Sequence, residues 1–163
     1  MVTIISNHLR RISACRRYFS VLLSVFLILS VEYSAKAQET TLTVISNTTG
    51  APSDMKMSEL KSVLKGEQQR WSDGTKVHIA LMKTSTPVGQ TTCQKIYNMS
   101  GDKVKRFWLE LSFAGNADAP TFCSTTEELV TFVSQNPGAI GILDKPSTIA
   151  GIKTTEIDGK SSF

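Results

Sequence analysis

The segment Lys76-Val-His-Ile-Ala-Leu-Met82 alternates polar and apolar side chains and then runs apolar, the signature of a buried strand. It lies between stretches whose apolar residues recur every three or four positions. Before it, Ser58 reads as an N-cap, Leu60, Val63 and Leu64 share one helix face, and Gly66 supplies a stop. After it, helices are expected from Gln90 or Thr91 to Asn98 and from Lys103 to Phe113, the latter carrying Val104, Phe107, Trp108 and Leu111. Ser124-Thr125-Thr126-Glu127-Glu128 offers two overlapping capping boxes for a further helix bearing Leu129, Val130 and Val133. Strands are also expected at Thr41–Ile45, at Ala139–Leu143 and, at a sheet edge, at Ile152–Ile157. Strands interleaved with amphipathic helices predict a layered α/β domain.

The N-terminal segment follows another logic. Arg10, Arg11, Arg16 and Arg17 precede an apolar run from Val21 to Val31, and Ala35-Lys36-Ala37 follows it, as in a secretory signal peptide over residues 1–37. Its apolar core is roughly half the length a helix needs to cross a bilayer, and no membrane span is expected in the mature chain. Cys15 precedes the apolar core, so a lipidated cleavage site does not fit. The segment holds five of the 18 basic residues and one of the 14 acidic ones, leaving 13 of each in residues 38–163. The mature chain is formally neutral, which removes any argument for nucleic-acid binding from charge. Its 126 residues suit one domain and are too few for two.

Few residues point to catalysis. His78 is the single mature histidine and lies inside a strand pattern, so no nucleophile has a recognisable base beside it. The acids Glu59, Glu67, Asp73, Asp102, Glu127 and Glu128 fall at helix starts and turns, where the helix dipole and turn chemistry account for them. Trp71 and Trp108 read as core residues. Two states fit Cys93 and Cys123. They form a disulfide, worth roughly 3 kcal/mol by loop entropy, or Cys93 is a buried helix residue and Cys123 a loop thiol. With one histidine they supply no zinc shell, and no metal or cofactor is expected.

The loop Lys83-Thr-Ser-Thr-Pro-Val-Gly-Gln-Thr-Thr-Cys-Gln-Lys95 bears on binding. A helix start presents unpaired N–H groups and about half a positive charge, so a loop of hydroxyl residues and glycine leading into one can hold phosphate or sulfate. Ser85, Thr86, Gly89, Gln90 and Thr91 make up that candidate set. A plain helix entry at Thr86-Pro87 explains the same residues.

The succession of Ser58–Gly66, Arg70-Trp71-Ser72-Asp73-Gly74, Thr86-Pro87, Lys95-Ile96, Met99-Ser100, Phe107-Trp108, Phe113-Ala-Gly115 and Asn136-Pro137-Gly138-Ala139-Ile140-Gly141 resembles the periplasmic phosphate-binding proteins of ABC transporters. The resemblance runs through residues 41–145. It implies a periplasmic-binding-protein-like fold, here a single lobe with a three-layer arrangement of sheet and flanking helices, in a secreted periplasmic protein without enzymatic activity. It also implies phosphate or a related oxyanion as ligand and a membrane transporter or receptor as partner. Loops of that family read Ser-Pro-x-Arg where this chain has Thr86, Pro87, Val88 and Gly89, so the hydroxyl is kept and the guanidinium is lost. A lone lobe also leaves its site open to water, which screens charge-assisted bonds. Weak oxyanion binding is the resulting expectation. The alternative is an interaction module of the same fold that no longer binds a ligand and serves a membrane receptor or sensor.

Overall fold

The computed structural model describes residues 40–147 and 149–163. The leader expected over residues 1–37 lies outside them. Six strands form one mixed sheet: β1 Thr43–Asn47, β2 Asp54–Met55, β3 His78–Met82, β4 Thr121–Cys123, β5 Ala139–Leu143 and β6 Ile152–Ile157, in the order β2-β6-β1-β5-β3-β4. β3 runs parallel to both β4 and β5, whereas β1 runs antiparallel to β5 and β6. Four helices accompany the sheet: α1 Met57–Leu64, α2 Pro87–Thr92, α3 Gly101–Phe113 and α4 Thr126–Gln135. A π-helical turn, Cys93–Tyr97, prolongs α2.

Alternation along the strands builds two cores. Val44, Ile79, Leu81, Ile140 and Ile142 point to one face, where Leu60, Val63 and Leu64 of α1, Cys93, Ile96 and Tyr97 of the π turn, and Val104 and Trp108 of α3 cover them. Ile45, Ala80, Met82, Ala139 and Leu143 point to the other, against Leu129, Val130 and Val133 of α4. Helices on both faces are the physical reason that β3 and β5 are almost wholly apolar. This is the three-layer α/β arrangement expected from the sequence.

Several boundaries differ from the sequence reading. α1 is entered from Lys56 rather than capped by Ser58, and no side chain caps it. α2 begins at Pro87, three residues before Gln90, because Thr86 caps it and proline suits the first helical position. Of the two capping boxes before α4, the Thr125 and Glu128 pair forms: Thr125 Oγ1 accepts from the Glu128 amide, and the Glu128 carboxylate accepts from the Ser124 amide. β6 is an interior strand, not an edge, since β2 lies outside it. β2 and β4, with two and three residues, leave no periodic trace.

Of the two states open to the cysteines the structure has the free thiols, with Cys123 on β4 rather than in a loop. Cys93 and Cys123 are both buried free thiols, and they pack into different cores, Cys93 with α3 and Cys123 with α4 on the opposite face of the sheet. Burial pushes both thiols above the ordinary range, which keeps them protonated and slow to react. Alkylation of native protein near neutral pH should therefore spare both, and unfolding without reductant should expose both to labelling, as read by peptide mapping. A Cys93–Cys123 crosslinked peptide would contradict this.

Trp71 and Trp108 are core residues, at 4% and 2% exposure. The Trp71 indole donates to the Gly138 carbonyl at 2.8 Å, tying the loop before β3 to the turn before β5. Asn47 at the end of β1 donates from its side chain to the carbonyls of Val133 and Ser134, the last turn of α4. No helix among the described residues is long and apolar enough to cross a membrane.

Candidate functional site

β3, β4 and β5 run parallel, and chain leaving the C-terminal end of β3 opens a crevice of the kind where ligands sit in open α/β sheets. The Lys83 amide donates to the Cys123 carbonyl at 2.9 Å, so the loop out of β3 starts from a fixed point. It then passes Thr84 and Ser85 and turns into α2 at Pro87. The start of α3 closes against this loop: a side chain on Gly101 would meet Thr84 Cβ at 2.7 Å. Between them lies a cleft of about 410 Å³ bordered by Thr84, Ser85, Gln90, Ser100, Gly101 and Lys105. An adjoining recess shares Thr84, Ser85 and Lys105 and adds Lys83 and Phe122.

The five residues expected to hold an anion part company here. Ser85 and Gln90 border the cleft. Thr86 is committed to the fold: its hydroxyl donates to the Lys83 carbonyl at 2.8 Å and accepts from the Gly89 amide at 3.1 Å. Thr91 donates its hydroxyl to the Pro87 carbonyl one turn back, at 3.0 Å. Gly89 is buried, and a Cβ there would lie 2.7 Å from the Lys83 carbonyl carbon and closer still to its oxygen. The helix start packs on the strand end too tightly for any side chain, which explains why no arginine stands at this position.

The sequence reading missed Thr84, Ser100, Gly101 and Lys105. The Gly101-Asp102 break between helices was the available signal, but nothing local places the start of α3 against Thr84. The cleft's charges oppose each other. Lys105 pairs with Asp102 one turn away at 3.5 Å, both side chains well exposed, so the pair itself is weak. Cys93 also borders the cleft; its thiol is held neutral by burial although Lys105 pulls the other way.

A second, smaller hollow lies at the opposite end of β3, bordered by Lys76, His78, Thr121, Gln68, Gln69 and Asp118. Lys76 bonds Asp118 at 2.5 Å and holds its carboxyl below the ordinary range, first through the hydrogen bond and then through charge. Among the described residues no group of three or more His, Cys, Asp or Glu is placed to hold a metal.

Sheet order and layers define a three-layer α/β domain. Solved structures share it. One is an ABC-type phosphate transport receptor from Vibrio cholerae, matched over 81% of this chain and 56% of that one with a TM-score of 0.58 and 12% identity. Another is PstS from Borrelia burgdorferi, matched over 79% of this chain and 55% of that one with a TM-score of 0.53 and 11% identity. The chain thus spans little more than half the length of either structure. No family model matches the sequence, and no curated protein matches it.

Proposed function

We propose that residues 38–163 form a secreted, periplasmic, single-lobe domain of the phosphate-binding-protein type, which holds phosphate or a related oxyanion weakly and catalyses nothing. The observation that carries the reading is the cleft where the hydroxyl-bearing loop after β3 meets the start of α3 beside Lys105, on a fold shared with a phosphate transport receptor. Helix-start amides, hydroxyls and an ammonium group are the donors an oxyanion needs. The open face leaves these bonds screened by water, and the arginine that would fork onto the anion is sterically barred at Gly89. A transporter or receptor in the membrane is the partner class, and a partner covering the cleft would raise affinity by excluding water.

Calorimetric titration with phosphate and sulfate tests this. A dissociation constant on the order of 1 mM, rising with added salt, is expected. No saturable heat at concentrations well above that would overturn the reading. It would leave the second one, an interaction module of the same fold, which draws on the exposed apolar pair Leu109 and Phe113 along α3, at 58% and 85% exposure.

A further inference from the structure

We infer that the oxyanion is held at the start of α3, by Thr84, the first amides of that helix and Lys105, rather than at the start of α2. This deepens the function proposed above and rests on it. The first observation is Thr84 itself. It is nine-tenths buried, at 9% exposure, it borders both recesses of the cleft, and among the described residues its hydroxyl has no hydrogen-bond partner. That hydroxyl reaches solvent through the cleft and is not an enclosed unpaired group, so it is a donor and acceptor open to a ligand that replaces water there.

The second observation is the helix it faces. α3 has 13 residues, so its first-turn amides carry the partial positive charge of a full helix, and no side chain caps them: the hydroxyl of Ser100, at the N-cap position, makes no capping bond. The absence of a side chain at Gly101 lets the loop approach so closely that Thr84 and residues 100–102 border one cleft. At the start of α2 the Thr86 hydroxyl already takes the Gly89 amide. The third observation is Lys105, one turn into α3, which borders both recesses and forms an ion pair with the exposed Asp102. An anion arriving between them competes with Asp102 for the ammonium group. Asp102 thus acts as a built-in competitor, and its removal frees Lys105.

Titration of the protein and four variants with inorganic phosphate at constant ionic strength is the test. Thr84→Val, which keeps the shape and removes the hydroxyl, should weaken binding about tenfold, and Thr84→Ser should keep it. Lys105→Gln should weaken it about threefold and flatten the salt dependence. Asp102→Asn should tighten it about threefold. If wild-type protein binds and Thr84→Val, Lys105→Gln and Asp102→Asn all bind like it, this placement is wrong while the proposed function stands. If wild-type protein itself binds no phosphate, the proposed function falls and the placement with it. Should Thr84→Val fail to fold, the two exposed positions decide alone.

Discussion

Gly89→Ala is expected to lose about 3 kcal/mol of stability, and Gly89→Arg to lose more while gaining no ligand. The added Cβ would press on the backbone of Lys83 and lie 2.9 Å from the Met82 carbonyl oxygen. Neither can give way cheaply. The Lys83 amide is bonded to β4, and the Lys83 carbonyl receives both the amide and the hydroxyl of Thr86. The clash is thus with a strand end fixed from two sides rather than with a flexible side-chain tip. Denaturant midpoints at unchanged slope would measure the loss. A change within about 0.5 kcal/mol, the ordinary range for a surface position, would show that the loop after β3 has room to yield and that the arginine's absence has another cause.

Trp108→Ala should cost about 4 kcal/mol, and Tyr97→Phe about 2 kcal/mol. Trp108 is fully enclosed in the core between the sheet and α3, so truncation leaves a large cavity. Its indole N–H donates to the Tyr97 hydroxyl at 3.1 Å, which in turn donates to the Leu64 carbonyl at the end of α1 at 2.5 Å. Tyr97→Phe therefore strands a buried donor at one end and a helix-terminal carbonyl at the other. The two losses should fall short of additive in the double variant, because both break the same chain. Burial pushes the Tyr97 phenol well above its ordinary value, with the bond from Trp108 opposing. The folded value is raised, so this contribution is complete below about pH 10, where a free phenol is neutral, and is lost as pH climbs beyond it. Unfolding of wild type and Tyr97→Phe at neutral and alkaline pH should accordingly converge at the alkaline end. Equal stabilities at neutral pH would contradict the role given to the hydroxyl.

What the sequence made legible follows from how strongly each residue's surroundings act on its own neighbours in the chain. β5 was readable to the residue, because a strand covered on both faces must be apolar throughout and Asn136-Pro137-Gly138 fixes its start. α3 and α4 announced themselves through apolar spacing and, for α4, through a capping box that forms. β2 and β4 were silent because two or three residues have no period, and the interior place of β6 depends on β2. The bridge between Cys93 and Cys123 looked open because sequence does not say which face of a sheet a cysteine serves.

The candidate site was half legible for the same reason. Ser85 and Gln90 lie in the loop and helix that drew attention to the region, whereas Thr86 and Thr91 spend their hydroxyls on backbone carbonyls. Local spacing cannot separate a hydroxyl that caps a helix from one that faces a cleft. Thr84 and Gly101 meet only because the π turn and its left-handed end at Asn98 swing the chain back over the strand end. Gly89 read as a lost ligand, and its meaning as a packing requirement needed the Lys83 carbonyl above it.

Amide resonances followed by NMR while inorganic phosphate is added test the central claim most directly. Saturable shifts concentrated at residues 84–85 and 100–102, weakened by added salt, are expected, with the surroundings of Lys76 and Asp118 unmoved. Shifts that never saturate, or that gather at the Lys76 end of β3, would contradict it.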